Sequence, residues 1–388
     1  MQPKIILVEN HSDTFLSHRM FLAEQACQAG FEVHIATPAF RKDVSAPLRN
    51  MHHHVIPITR SDMGPLQELR SVEALIKLYR RVQPDLVHHL RMKPVIYGGV
   101  AARYTGIKAV VNAMTGRGYL FLKRSFKELA FRRFVIEGLR FAFNHKNQVA
   151  VFQNHDDQEF CIDLGICRRE DSVVIKGAGV SLSACFPVLE PGGVPVVVLA
   201  SRMLWDKGVG VFVAAASALR AQGVSARFVL CGETDEGNPT TIPFAQLRQW
   251  HDSGVVEWWG FVSDMQHVFS QAHVVCLPSF AEGMPRVLLE AAAAGRPIVT
   301  SDAPGCREIV HHGENGFLVP VQDSSALAQA LRMLIEDPGL RRQFGARSRA
   351  MAEAEFGQEK IAAETLAVYR KLLGLSSPAP ISPARQLF

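Results

Sequence analysis

His273-Val274-Val275-Cys276-Leu277-Pro278-Ser279-Phe280-Ala281-Glu282-Gly283-Met284-Pro285-Arg286-Val287-Leu288-Leu289-Glu290-Ala291-Ala292-Ala293-Ala294-Gly295-Arg296-Pro297 reads as a strand, a turn and a helix. The run from 273 to 277 is short and apolar, which suits a buried strand. Pro285 suits a first helical position, the Leu and Ala run has high helix propensity, and Gly295 with Pro297 beyond it supplies the stop. Glu282 falls in the turn and Glu290 about a turn and a half inside the helix, so the two carboxylates stand at different heights beside one helix N-terminus. Free N–H groups and a positive dipole end make that terminus suitable for a phosphate. The same residues also fit an ordinary helix with two surface glutamates, so the rest of the chain has to decide.

Glu282 and Glu290, separated by seven residues and followed by Gly295-Arg296-Pro297, resemble the paired-glutamate motif of the family-4 retaining glycosyltransferases of the GT-B fold. The resemblance implies roles: Glu282 on a hydroxyl of the donor sugar, Glu290 on the ribose of the nucleotide, and the Gly283 and Met284 amides facing the diphosphate. It also implies an α/β architecture of two Rossmann-like, doubly wound parallel-sheet domains facing across a cleft, with a C-terminal helix crossing back to the first domain.

Ser201-Arg202-Met203-Leu204-Trp205-Asp206-Lys207-Gly208 follows a buried strand, Val196 to Ala200, and opens a helix. Open α/β sheets bind ligands at such a place. A diphosphate needs cations held on rigid backbone, and Arg202 and Lys207 are placed to supply them; a basic loop is also commonly a solvated charge. The spacing resembles the Arg and Lys-Gly pair that binds the donor diphosphate in the same family. Asp302 to Val310 with Gly313 to Pro320 resembles the signature loop and strand after the glutamate helix. In Trp259-Gly260-Phe261-Val262, Phe261 is placed to line the base, and the segment reads equally well as the end of a core strand. No Asp-x-Asp pair occurs in a strand-end loop, so a metal-bridged diphosphate is not indicated. The expectation is no metal and no cofactor beyond a nucleotide-sugar co-substrate.

The chain has 388 residues, 48% hydrophobic and 20% charged, with a formal net charge of +5. That is the balance of a soluble globular protein long enough for two domains. No window is apolar for long enough to span a bilayer, and the first strand starts at once without the pattern of a signal peptide, so a cytoplasmic location is expected. The seven cysteines are scattered at apolar positions and read as reduced core thiols. The runs His52-His53-His54, His88-His89 and His311-His312 show no metal-ligand spacing with Cys or acid residues.

Strands alternate with helices from Lys4 onward, including strands at 4–9, 31–36, 55–58, 86–89, 109–113 and 148–152, and a helix over 15–29. The stretch 173–195 is rich in Gly and Pro and marks the domain boundary, after which the alternation restarts. The expected division is 1–180 for an acceptor-binding domain, 181–355 for a nucleotide-sugar-binding domain, 356–375 for the crossover helix and 376–388 for a disordered tail.

Asn10, His11, Ser12 and Asp13 follow the first strand, where the resembled family carries a glycine-rich acceptor loop; glycine is missing here. Thr14 to Arg19 resembles the subset that extends lipid-linked saccharides of bacterial envelopes. His11, His18 and Arg19 are therefore acceptor candidates, with His18 and Arg19 expected in the first turn of a helix, where a solvated face is an equal reading. His88, His89 and Lys93 leave the fourth strand and are further acceptor candidates, although a core histidine is the commoner outcome. From Arg117 to Lys146 eight cations stand against two acids, a balance of +6 that exceeds the net charge of the whole chain, interleaved with Phe121, Phe126, Phe131, Phe134, Phe141 and Phe143. A basic helix with aromatic residues suits an anionic membrane surface, and a core helix with a solvated basic face is the alternative. No recognition motif for nucleic acid accompanies the charge.

The expected function is transfer of a sugar, with retention, from a nucleotide-sugar donor, a UDP-sugar foremost, to a lipid-linked saccharide, at the inner face of the cell membrane. The rivals are a UDP-sugar 2-epimerase of the same fold and a non-catalytic partner subunit.

Overall fold

A computed structural model describes residues 2–40, 48–58, 64–116 and 126–376, the side chains of 126–130 excepted. The expected tail from 377 and the basic residues Arg117, Lys123 and Arg124 lie outside the described residues.

The chain divides into two compact units, one made of 1–152, 158–175 and 361 onward, the other of 153–157 and 176–360. In the first unit the strands are β1 (Lys4–Glu9), β2 (Glu32–Thr37), β3 (Met51–Val55), β4 (Leu86–Leu90), β5 (Ala109–Met114), β6 (Gln148–Phe152) and β7 (Ser172–Val174). The helices α1 (Ser12–His18), α2 (Met20–Gln28), α3 (Pro65–Val82), α4 (Met92–Thr105), α5 (Phe126–Phe143) and α6 (His155–Asp163) run between them. All pairings are parallel and the sheet order is β3-β2-β1-β4-β5-β6-β7, which reverses between β1 and β4. Strands such as Ile5 to Val8 are fully buried continuous apolar runs because helices cover both faces.

The second unit repeats the plan with β8 (Val196–Ala200), α7 (Val209–Ala221), β9 (Arg227–Cys231), α8 (Phe244–Asp252), β10 (Glu257–Gly260), α9 (Met265–Gln271), β11 (Val274–Leu277), α10 (Arg286–Ala293), β12 (Ile298–Ser301), β13 (Gly316–Val319), α11 (Ser324–Glu336) and α12 (Pro338–Met351). Its order, β10-β9-β8-β11-β12-β13, reverses between β8 and β11. Phe212 and Leu219 of α7 and Leu331 of α11 bury one face of the sheet, and Leu288 and Leu289 of α10 bury the other. Each such buried side chain contributes about 1.5–3 kcal/mol. The last helix, α13 (Gln358–Leu373), places Ile361 and Tyr369 in the core of the first unit, as the crossover expectation requires.

Three local readings differ. The third strand is Met51–Val55 rather than 55–58, and it contains the histidine run. β3 lies at the sheet edge with one neighbour, so it tolerates polar side chains that hide the strand pattern. The helix expected over 15–29 is broken at Arg19 into α1 and α2, which puts His18 in a last turn instead of a first. Pro285 is the N-cap of α10 and Arg286 its first residue. Among the described residues no helix is long and apolar enough to cross a membrane.

Candidate active site

The reversal between β8 and β11 brings two loops together in the second unit. After β8 the chain makes a single 3-10 turn over Trp205–Lys207, and Gly208, at φ 73°, turns it into α7. A Cβ at Gly208 would collide with the Pro278 carbonyl, so only glycine lets the two loops approach this closely. They are stitched by Phe280 N donating to Asp206 O at 2.9 Å and Ser279 Oγ to the same oxygen at 3.2 Å. Across this seam Lys207 Nζ donates to Glu282 Oε1 at 2.5 Å, with side chains 17% and 13% exposed. Arg202, two residues past β8, is half exposed and pairs with Asp235, whose backbone N–H is held by Thr241 Oγ1 at 3.1 Å.

The turn before α10 is fixed from two sides. Glu282 N donates to Pro304 O at 3.2 Å, and a Cβ at Gly305 (φ 76°) would strike the Glu282 and Gly283 carbonyls. Asn154, fully buried, donates to Gly283 O at 2.7 Å. The N-cap Pro285 makes no side-chain cap bond, and the positive dipole end of α10 lies beside Gly283 and Met284. Inside the helix, Glu290 accepts from Arg286 Nε at 2.7 Å. Burial raises the Glu290 carboxyl above its usual range, and Arg286 partly offsets this. Cys306, near Glu282, is pushed up to about 12 by burial and supplies no thiolate. Phe261 follows β10, two strands away from β8 at the sheet edge, and is 70% exposed. The structure thus gathers Lys207, Glu282, Gly283 and Met284, with Glu290 in the adjoining helix, and Phe261 lies in the loop after β10.

The first-unit candidates scatter. His11 caps α1, its Nδ1 accepting from Thr14 N at 3.2 Å. His18 is bound to Ser17 Oγ at 2.7 Å on an exposed face. Lys93 donates to Glu68 Oε1 at 2.9 Å in the first turn of α4. His89 corrects an expectation: it is fully buried, its Nδ1 bonded to Asn112 Oδ1 and its Nε2 to Tyr79 Oη, both at 2.8 Å, so neither ring nitrogen is left for an acceptor. Burial lowers its pKa to about 4. His88 points to the other face, where Nδ1 meets Tyr369 Oη at 2.6 Å and Nε2 has no hydrogen-bond partner. Beside it lie two residues that sequence reading missed, Glu9 at the end of β1 and Arg91 just past β4, together with Asn10 of the expected acceptor loop and the acceptor candidate Arg19, which is buried. The legible signal was Glu9 itself, an acid closing an otherwise apolar buried strand. The ligand atoms of Glu32, His34 and His52 lie within 4.8 Å of one another across β2 and β3, a grouping invisible in linear spacing. His34 spends its two ring nitrogens on Glu32 (3.0 Å) and His54 (2.9 Å).

Two family models match the chain, one described as glycosyl transferase 4-like over residues 4–154 and one as glycosyl transferases group 1 over 194–337. A curated relative from Campylobacter jejuni, N,N'-diacetylbacillosaminyl-diphospho-undecaprenol alpha-1,3-N-acetylgalactosaminyltransferase, is 28% identical over 88% of this chain and 92% of its own length. An Escherichia coli UDP-Gal:alpha-D-GlcNAc-diphosphoundecaprenol alpha-1,3-galactosyltransferase is 24% identical over 73% of this chain and 74% of its own. Among solved structures, sucrose-phosphate synthase from Thermosynechococcus elongatus shares the fold at TM-score 0.81 and 20% identity, covering 97% of this chain and all of the other. Anabaena HepE in complex with UDP and glucose does so at TM-score 0.74 and 22% identity, covering 94% of this chain and all of HepE. Glycosyltransferase models thus match both halves of a chain whose two reversing parallel sheets have these neighbours, and the chain belongs to the group 1 and 4-like glycosyltransferases of the GT-B fold, as a hexosyltransferase.

Proposed function

We propose that the protein transfers a hexose, with retention and without a metal, from a UDP-sugar bound by the second unit to a lipid-linked saccharide held by the first. The observation that carries this reading is the Lys207 to Glu282 pair at the strand-order reversal, beside the uncapped N-terminus of α10. Lys207, Arg202 and that terminus would receive the charge growing on the leaving diphosphate. Glu282 would then turn to a hydroxyl of the sugar and Glu290 to the ribose, with the Gly283 and Met284 amides on the diphosphate and Phe261 on the base. As the bond from the anomeric carbon to the phosphate oxygen breaks, the acceptor oxygen forms its bond on the same face and passes its proton to the departing oxygen. Retention follows from that geometry.

Two relatives named for diphosphoundecaprenol-linked acceptors, one of them with a UDP-Gal donor, support the choice of donor and acceptor. Association with the inner face of the membrane is supported by exposed Phe131 and Phe134 flanking Arg132 and Arg133 on the described part of α5. Incubating the protein with a panel of UDP-sugars and a diphospho-lipid saccharide, in the presence of a chelator, tests the reading. Acceptor-dependent UDP release with a retained anomeric configuration is expected. Inversion in a single turnover, a requirement for metal, or epimerised sugar from UDP-GlcNAc alone would overturn it, and absence of UDP binding would favour a non-catalytic subunit.

A further inference from the structure

The first unit reverses its strand order between β1 and β4, and the carboxyl ends of those two strands hold a buried charge cluster. Glu9 is 1% exposed, and Oε1 lies 2.8 Å from Arg91 Nε. The two atoms are in charge contact but out of line, and neither has a hydrogen-bond partner. Asn10 Oδ1 and His88 Nε2 are in the same condition, so four of the six unpartnered buried side-chain atoms among the described residues belong to β1, β4 and the residues just past them. Unmet polar groups are rare in a folded interior, and their concentration at one spot points to a missing partner. Arg91 itself has φ 79° and ψ 165°, a conformation that glycine adopts readily and an arginine does not. Strain of this kind survives where the surroundings hold it for a purpose. Arg19 and Arg91 both act on Glu9, two guanidinium groups against one carboxylate.

We propose that Arg91, backed by Arg19, binds a phosphate or diphosphate group in the first unit, and that Glu9 is a positioning residue that holds Arg91 ready and gives it up when the anion arrives. Arg91 is the accessible member, its side chain 30% exposed. The N–H at Nε and an adjacent Nη together form a fork that fits two phosphate oxygens, which Glu9 in its present orientation does not satisfy. Burial pushes the Glu9 carboxyl up to about 7, against the pull of Arg91 and Arg19. The other groups around it are Asn10, His88, which burial holds neutral, and Tyr369 of α13. Protonated, Glu9 no longer draws on the charge of Arg91; ionised, it competes with the anion for it.

The site deepens the acceptor half of the proposed function, since a lipid-linked diphosphate is the source that reading supplies; free phosphate offers the same chemistry. The test is calorimetry with inorganic pyrophosphate on the full chain carrying Lys207→Ala with Arg202→Ala, which removes both second-unit cations. One site should remain, weakened at least about tenfold by Arg91→Gln and partly restored by Arg91→Lys, as for loss of a charge-assisted contact. Adding Glu9→Gln should raise affinity relative to its parent increasingly between about pH 6 and 8, a change a purely structural role would not produce. UDP affinity with Lys207 and Arg202 intact, and thermal midpoints, verify that each variant folds. Absence of a pyrophosphate site, indifference to Arg91→Gln, or a pH-independent Glu9→Gln ratio overturns the proposal. A diphospho-lipid in detergent bound through Arg91 assigns the lipid source, and pyrophosphate binding alone assigns the free anion. Pyrophosphate bound through Arg91 by a protein that transfers no sugar would keep this site and sink the transferase reading.

Discussion

Lys207 Nζ stands 2.5 Å from Glu282 Oε1, so the cation proposed for a donor diphosphate and the carboxylate proposed for its sugar neutralise each other across the β8 and β11 loops. A diphosphate has to compete with Glu282 for Lys207. Truncating one member of a largely buried charge pair costs about 2–5 kcal/mol. Lys207→Ala is therefore expected to weaken UDP binding by about 30-fold or more. Glu282→Gln should leave UDP affinity unchanged or slightly tighter while transfer collapses, because a competitor is removed along with the sugar contact. Calorimetry with UDP checks both, and an unaltered affinity in Lys207→Ala removes that residue from the site.

Glu290 is buried in α10 with Arg286 as its ionic partner. If it meets the ribose, Glu290→Gln weakens UDP by roughly tenfold, the effect of a lost hydrogen bond to a charged group, and leaves pyrophosphate binding at the second unit intact. Equal losses for both ligands would show that the helix N-terminus, not the ribose contact, had been disturbed.

Gly208 combines a left-handed backbone with a collision, since a Cβ there would overlap the Pro278 carbonyl, whereas Gly223, at a similar φ of 76°, has open space around it. Gly223→Ala should cost about 1 kcal/mol of stability through strain alone. Gly208→Ala should cost that plus the separation of the two loops, together about 2–4 kcal/mol, and should reduce UDP affinity. Urea midpoints compare the two, and equal losses would mean that the loops part freely.

Glu9 has a folded pKa of about 7, raised by burial, against an unfolded value near 4.3. Over that window the folded chain keeps a proton that the unfolded chain releases. Stability from this group therefore falls as pH rises from about 4.5 to about 7, and the deficit, about 4 kcal/mol at most, persists above. His88 and His89, held neutral by burial, act in the opposite sense as pH falls, but they are common to both variants. The stability difference between Glu9→Gln and the parent should widen from pH 5 to pH 8, and a constant difference refutes the assignment.

What the sequence made legible follows from burial. Val196 to Ala200 and Val274 to Leu277 are strands covered on both faces, so they are uninterrupted apolar runs, and proline and glycine bound α10. Lys207 and Glu282 could be assigned to one site from their places after strands, though not their contact, because that depends on the approach of Gly208 to Pro278. Met51 to Val55 was hidden because an edge strand needs no apolar pattern. Glu9 and Arg91 escaped notice because only the pairing of β1 with β4 brings them together, Glu9 standing opposite Leu90. His88 and His89 look alike in sequence, yet strand alternation sends them to opposite faces, one into a closed hydrogen-bond set and the other toward the charge cluster.

The membrane reading rests on α5, where Phe131, Phe134 and Phe141 are 50%, 73% and 44% exposed. Arg103 covers the Phe141 ring at 4.4 Å and Arg80 covers Tyr104 at 5.1 Å, so the aromatic and basic groups continue over α3 and α4. Large exposed aromatics add little to folding stability, and their replacement leaves the core intact. Phe131→Ser with Phe134→Ser should abolish flotation with anionic vesicles without shifting the thermal midpoint. Changing Lys123, Arg124, Lys127, Arg132 and Arg133 to Ser should act differently. At about 1 kcal/mol per cation near an anionic surface, the five changes remove roughly five-thousandfold of affinity at low salt, and the loss shrinks as salt rises. Flotation unaltered in both variants would leave α5 as a core helix with a solvated basic face, whereas sensitivity to the charges alone would place the helix on the headgroups without insertion of its aromatic side chains.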